Sequence, residues 1–171
     1  ILSEHQGPVL SCAFHPSQAI IVSGSGDRTL KFWDTNTGDC LQTWAGQNHH
    51  IWSIVFSPEG QILATGNGGG IIKLWHLETS ECYATLAGHI GLIYSLSMSP
   101  DGQRIASSAS DATVRVWDLQ TGQCERVLQE HTNDVFDVAF SPDGETLVSG
   151  SFDHAVKFWD THQWQCRRTW R

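Results

Sequence analysis

Four tryptophans, Trp33, Trp75, Trp117 and Trp159, follow one another at intervals of 42 residues, and this period constrains the fold more than any other feature. Several residue types keep the same phase. Phe14-His15-Pro16, Phe56-Ser57-Pro58, Met98-Ser99-Pro100 and Phe140-Ser141-Pro142 form one series, and Cys40, Cys82, Cys124 and Cys166 another. A shared period of this length means one supersecondary unit built four times, each burying its apolar face against the next. The units run approximately over residues 3–44, 45–86, 87–128 and 129–171, and Ile1-Leu2 falls in phase with Thr169-Trp170, so the repeat region spans 1–171.

Within a unit the pattern is that of short strands. Val135 to Phe140 is rich in β-branched and aromatic residues and ends at Ser141-Pro142-Asp143-Gly144, with proline and glycine in turn-favoured places. Thr146 to Gly150 and Ala155 to Trp159 follow, separated by a turn at Phe152-Asp153. A hairpin at Thr121-Gly122 leads to Glu125-Arg126-Val127-Leu128 in the preceding unit. Each unit therefore predicts four strands and three tight turns, and no stretch carries helical spacing of its apolar residues. The expected class is all-β: four four-stranded antiparallel blades of a β-propeller.

The chain resembles the WD-repeat family over its full length. The family's two marks, Gly-His before the first strand and Trp-Asp closing the third, are present as Gly88-His89 and Trp117-Asp118. Glu4-His5 with Trp33-Asp34 and Glu130-His131 with Trp159-Asp160 repeat the pattern, always with 28 residues from His to Trp. The resemblance implies a buried tetrad in three units: His5, Ser23, Asp27, Trp33; His89, Ser107, Asp111, Trp117; and His131, Ser149, Asp153, Trp159. In it Asp orients His, His reaches Ser, and Ser reaches the Trp ring nitrogen. A set that recurs in three of the four units reads as scaffold and not as a Ser-His-Asp hydrolase site, which is normally single. The regular turns and Thr-Gly-Gln-Cys hairpins also resemble propellers of bacterial multidomain regulators.

The second unit departs from this pattern. Gln47 replaces the His, Gly69 the Asp, and His76 the residue after Trp75; only Thr65 and Trp75 remain. Its Gly66-Asn67-Gly68-Gly69-Gly70 run lacks the Lys-Ser/Thr ending of a phosphate-binding loop and opens no helix, so it reads as a hairpin turn. His49-His50 offers two metal-ligating side chains without a third, short of a metal site. No cofactor is expected.

Composition sets the remaining bounds. Hydrophobic residues are 40 % and charged residues 16 % of the 171, which excludes a disordered chain. No apolar run approaches the roughly 20 residues of a membrane-spanning helix. The absence of an initial methionine and of a signal-peptide pattern suggests a piece of a larger soluble protein, or an engineered one. With 18 acidic against 10 basic residues the formal charge is −8, which disfavours nucleic acid and anionic membrane and favours basic partners. Cys40, Cys82, Cys124 and Cys166 recur on outer strands of successive blades, beyond the roughly 7 Å limit between α-carbons for a disulfide, and Cys12 has no mate. Unpaired thiols suit a reducing compartment, and a cytoplasmic location is expected.

With the tetrads assigned to the scaffold, function falls to the surface. Relatives often bind peptides at one end of the ring, through the second residue of the first strand and the residue before the tetrad Asp. Carried over, these are Leu10, Trp52, Tyr94 and Phe136, then Gly26, Gly68, Ser110 and Phe152. Two residues before the first series stand Pro8, His50, Leu92 and Asp134. Val9, Ile51, Ile93 and Val135 should take the inward positions and leave the rings free. Leu10, His50, Trp52, Leu92, Tyr94, Asp134, Phe136 and Phe152 are thus the expected partner-binding residues, and Asp134 and Asp137 add negative charge beside the rings. Such a rim fits a basic or apolar peptide, with Arg or Lys held by a cation–π contact. The reading is a protein-binding scaffold or ligand-sensing propeller in signalling. The alternative is a hydrolase-like enzyme at the channel mouth, for which no isolated nucleophile–base pair stands outside the repeat. Four blades of a family wedged for seven or eight leave the ring open. The expectation is a homodimer forming one eight-bladed ring, or a partner half supplied by a longer propeller.

Overall fold

The computed structural model describes residues 3–45 and 47–171; Ile1 and Leu2, whose phase extends the repeat to the start of the chain, lie outside the described residues. Among the described residues sixteen strands form four separate sheets. The first holds β1 (Val9–Phe14), β2 (Ile20–Ser25), β3 (Leu30–Asp34) and β4 (Cys40–Trp44). The second holds β5 (Ile51–Phe56), β6 (Ile62–Asn67), β7 (Ile71–His76) and β8 (Cys82–Ala87). The third holds β9 (Ile93–Met98), β10 (Arg104–Ala109), β11 (Val114–Asp118) and β12 (Cys124–Leu128), and the fourth β13 (Val135–Phe140), β14 (Thr146–Ser151), β15 (Val156–Asp160) and β16 (Cys166–Trp170). Each sheet is an antiparallel meander in chain order, as tight turns between short strands require. The first strands of successive sheets touch, β1 on β5, β5 on β9 and β9 on β13, so they form the inner side of a β-propeller arc. Among the described residues no helix is long and apolar enough to cross a membrane.

Three apolar clusters hold the sheets together, one at each junction. The first joins Val22, Leu30, Phe32 and Trp44 to Ile51, Ile54, Phe56 and Trp75 of the next sheet. Trp44 contacts Phe32 with ring centroids 4.4 Å apart and Trp75 at 5.6 Å. Side-chain hydroxyls stitch the inner strands: Ile54 N–H donates to Ser11 Oγ at 3.1 Å and Leu96 N–H to Ser53 Oγ at 3.0 Å. All five cysteines are free thiols. Trp164 adopts a left-handed conformation, φ +57°, in the last hairpin, and its ring packs beside Phe140 and Cys166 on the third cluster. It covers the junction between the third and fourth blades.

One expectation about packing fails at the first sheet. Ile51, Ile93 and Val135 are fully buried, but Val9 is 53 % exposed. Its three equivalents are covered by the preceding sheet, and none precedes Val9 among the described residues.

Candidate functional site

The inner strands carry a repeated irregularity that aims their second residues. In β1 the register with β2 slips between Val9 and Ser11, in β5 between Ile51 and Ser53, and in β13 between Val135 and Asp137. On β10 the slip at Ser108/Ala109 leaves Tyr94 of β9 without a partner. Leu10, Trp52, Tyr94 and Phe136 are therefore the extra residues of four β-bulges. A bulge bends the strand and re-aims the unpaired side chain; the alternation predicts all four free, but Leu10, Trp52 and Tyr94 remain half-buried.

Three of the four bulged side chains are aromatic, and they form a row. Trp52 meets Tyr94 edge-on with centroids 5.9 Å apart, Tyr94 meets Phe136 at 4.6 Å, and Phe136 meets Phe152 at 5.7 Å. The row grows more open toward the fourth blade: Trp52 and Tyr94 are half-buried, whereas Phe136 and Phe152 are 44 % and 60 % exposed. Leu10 holds the equivalent bulge in β1 and is half-buried, so the row of rings begins one blade later.

The acidic groups beside the rings are anchored. Tyr94 Oη donates to Asp134 Oδ2 at 2.9 Å, and Ser95 Oγ donates to Asp137 Oδ1 at 2.8 Å. At the other end of the row, His50, Trp52, Leu92 and Gly68 line a cleft of about 370 Å³ together with Asp27 and His49. Trp52 Nε1 is enclosed there without a hydrogen-bond partner.

Beneath this surface lie the tetrads. In the first blade His5 Nδ1 stands 2.8 Å from Asp27 Oδ2, His5 Nε2 stands 2.7 Å from Ser23 Oγ, and Trp33 Nε1 donates to Ser23 Oγ at 2.8 Å. The third blade repeats this at 2.9, 2.7 and 2.9 Å with His89, Asp111, Ser107 and Trp117. The fourth gives 2.8, 2.8 and 2.9 Å with His131, Asp153, Ser149 and Trp159. The network fixes the tautomer. An ionised carboxylate only accepts, so Nδ1 carries the proton, and the serine that accepts from Trp donates its own proton to Nε2.

Each tetrad Asp is also an anchor for backbone. Asp111 accepts from Ile90 N–H, Thr113 N–H and Thr113 Oγ1, and Asp27 does the same with Gln6 and Thr29. Burial alone would raise the pKa of Asp27 and Asp111, but these bonds and the bond from His overcome it and hold both well below the usual carboxylate range. For Asp153 burial is likewise overcome by bonds from His131, Thr132 and Ala155, and its pKa falls to about 2.

A family model described as WD domain, G-beta repeat matches this chain at residues 1–34, 38–76, 80–118 and 122–160. The chain belongs to the WD-repeat family. Polyadenylation factor subunit 2 of Neurospora crassa is 46 % identical over 50 residues, which cover 29 % of this WD-repeat chain and 8 % of the relative. Eukaryotic translation initiation factor 3 subunit I of Botryotinia fuckeliana is 45 % identical over 40 residues, 23 % of this chain and 12 % of the relative. Nuclear distribution protein PAC1 of Coprinopsis cinerea is 44 % identical over 43 residues, 25 % of this chain and 10 % of the relative. The match thus spans only a small part of each relative's length.

The second WD repeat keeps one bond of the tetrad, from Trp75 Nε1 to Thr65 Oγ1 at 3.2 Å. Gln47 is buried in the place of the His, and neither its Nε2 nor its Oε1 has a partner. A Cβ on Gly69 would lie 2.6 Å from His49 Cδ2, so the His49 ring occupies the space beside the missing Asp. Among the described residues no three His, Cys, Asp or Glu side chains converge on a metal position.

Two features of this WD-repeat chain escape sequence reasoning. One is the anchoring of Asp134 by Tyr94, which depends on a contact between blades. The other is a groove of about 960 Å³ between the first and second blades, lined by Phe32, Leu41, Trp44, His76 and Leu77. Trp164, two repeats on from Ser80, packs instead against the cluster between the third and fourth blades.

Proposed function

We propose that this chain is a protein-interaction module that holds a peptide, or an extended segment of a partner protein, against the row Trp52–Tyr94–Phe136–Phe152. The observation that carries the reading is the row itself: four rings in continuous contact, two of them open to solvent, on bulges that turn them out of the core. Exposed aromatics are unusual on a surface without a partner and frequent among binding hot spots. Asp134 and Asp137 stand beside the rings, and the chain carries a formal charge of −8, so the segment it fits is basic. Arg and Lys satisfy both features, the charge meeting the carboxylates and the cation lying on a ring face.

Two further points support a binding role over a catalytic one. Ser23, Ser107 and Ser149 are buried, and each hydroxyl is committed to a Trp and a His, so none is offered to a substrate. The relatives named above are, by name, a factor subunit, an initiation-factor subunit and a nuclear distribution protein, which fits a member of larger assemblies.

Selection of a displayed random-peptide library on the immobilised chain tests the proposal. Enriched peptides should carry Arg or Lys, and their affinity should fall on the order of tenfold or more for the Phe136→Ala, Phe152→Ala double variant. Peptides that bind the double variant equally well would remove the ring row as the site.

A further inference from the structure

The groove between the first and second blades is lined differently from the matching surface of the third blade. Ile20 of β2 and Leu41 of β4 line it, the latter 54 % exposed. Their equivalents two repeats on are Arg104 and Glu125, joined as an ion pair at 2.8 Å. An aliphatic pair thus takes the place of a charged one. Phe32 and Trp44 lie behind it, both buried, with Leu77 half-buried against the same cluster. Trp44 is 7 % exposed, and its Nε1–H meets no acceptor.

Two bonds join the walls of the groove. His15 Nδ1 accepts from Ser17 N–H and Gln18 N–H, so the ring proton sits on Nε2, which donates to Gly60 O at 3.1 Å. Gln42 Nε2 donates to Ser80 Oγ at 3.3 Å. The second blade also leaves donors open on its wall. Asp34, Asp118 and Asp160 each cap the turn that follows them, accepting from Asn36 and Thr37, from Thr121, and from His162 and Gln163. His76 stands at that position in the second blade and stacks on Tyr83 instead. Glu78 and Thr79 line the groove, and their N–H groups lack that carboxylate. The carboxylates of the lining, Glu59 and Glu78, face no Lys or Arg among it.

We propose that this groove is a second docking site, separate from the row of rings, for a partner segment that presents one aromatic side chain flanked by Lys or Arg. The ring lies against Leu41, Phe32 and Trp44, the flanking cations meet Glu59 and Glu78, and a backbone carbonyl accepts from Glu78 or Thr79 N–H. An aromatic ring buries a large area with few rotors, which suits a preformed apolar cleft. The fourth blade carries such a ring of its own: Trp164, two repeats on from Ser80, packs on the cluster between the third and fourth blades. Carboxylates beside an apolar wall favour a cationic segment and reject an acidic one. The groove's volume, about 960 Å³, is that of clefts that enclose a ligand.

The probe is the tripeptide N-acetyl-Lys-Trp-Lys-amide, titrated into isotope-labelled protein and followed by amide NMR. The protein carries Phe136→Ala and Phe152→Ala, so that the row of rings does not compete. The amide signals of Leu41 and Thr79 should shift to saturation, with a Kd on the order of a millimolar or tighter. Leu41→Arg should weaken binding about tenfold or more. Its circular dichroism should not change, because Arg167 holds the equivalent position in the fourth blade. N-acetyl-Glu-Trp-Glu-amide and N-acetyl-Lys-Ala-Lys-amide should each bind about tenfold more weakly than the first probe. Absence of binding at millimolar probe overturns the proposal, as does binding that leaves the Leu41 and Thr79 signals unmoved. So does an affinity unchanged in Leu41→Arg, or equal affinity for either control peptide.

Discussion

Tyr94 of the third blade donates its phenol proton to the Asp134 carboxylate of the fourth, at 2.9 Å, across 40 residues of chain. The bond ties the two blades at the rim and holds the Tyr94 ring where it contacts both Trp52 and Phe136. Together with burial it makes the Tyr94 phenol harder to ionise, since a phenol beside a carboxylate resists gaining charge.

Tyr94 and Tyr83 are the chain's two tyrosines, and both are held above the ordinary value of 10.0. For Tyr94 the causes are burial, then the hydrogen bond to Asp134 and its charge; for Tyr83, burial and then Cys82. A phenol whose folded pKa exceeds its unfolded one stabilises the fold fully below the unfolded value. That contribution is lost as pH rises through the folded value. Spectrophotometric titration of the native protein should place both tyrosine midpoints above the ordinary value, and chemical stability should decline above pH 10. Tyr94→Phe should leave one transition. In Tyr83→Phe, a remaining tyrosine that ionises at the ordinary value would contradict the Tyr94–Asp134 bond.

The tetrads should behave as structure. Trp117→Ala removes a buried ring and its bond to Ser107, at a cost of about 3–5 kcal/mol. Asp111→Asn leaves His89, Ile90 and Thr113 with a poorer acceptor, at a cost of about 1–3 kcal/mol. Denaturant midpoints measure both. A neutral Asp111→Asn would mean that the carboxylate supports nothing.

Acid should unfasten the fourth blade before the other two with intact tetrads. Asp153, at about 2, is less depressed than Asp27 and Asp111, because Ala155 stands where Thr29 and Thr113 donate a hydroxyl. A depressed carboxylate stabilises the fold above its unfolded value, 3.8, and the contribution is lost as pH falls through the folded one. Stability should therefore fall from about pH 4 downward, with Asp153 protonating first. Ala155→Thr, by restoring the hydroxyl, should move the acid-unfolding midpoint lower. No shift in Ala155→Thr would separate the Asp153 pKa from that missing donor.

Much of this was legible in the sequence, because a period with fixed Trp, His and Asp positions specifies strands, turns and tetrads together. Leu10, Trp52, Tyr94 and Phe136 could be placed on the first strand by phase alone. Alternation alone predicts all four free, which holds for Phe136 at 44 % exposed, whereas Leu10, Trp52 and Tyr94 are half-buried beside bulges that the alternation does not encode. Nor could the sequence separate Trp52 from Phe136. Trp52 is enclosed by Leu92 and Gly68 of its surroundings, so Trp52→Ala tests packing as well as binding, whereas Phe136 and Phe152 report on binding alone. The exposure of Val9 reflects the neighbour a blade has, which no local pattern carries.

The second blade gives the sharpest test of what a tetrad contributes, because it lacks two members in place. Sequence alone suggests that Gly69→Asp is harmless or slightly stabilising. The structure puts the His49 ring 2.6 Å from the new Cβ, so the aspartate must first displace an exposed side chain. Gln47 meanwhile is buried with both amide atoms unpaired, a defect that neither single substitution repairs. Gln47→His supplies a ring that reaches Thr65 but has no carboxylate to orient it, and Gly69→Asp supplies a carboxylate with no imidazole to hold. In a His49→Ala background the two together complete the set already formed by His5, Ser23, Asp27 and Trp33. The double substitution should then raise stability by about 0.5–2 kcal/mol, with more than the sum of the single effects. A double-mutant cycle on denaturant midpoints reads that coupling directly. Strict additivity would show that the imidazole and the carboxylate act independently, and that the tetrad is not a unit.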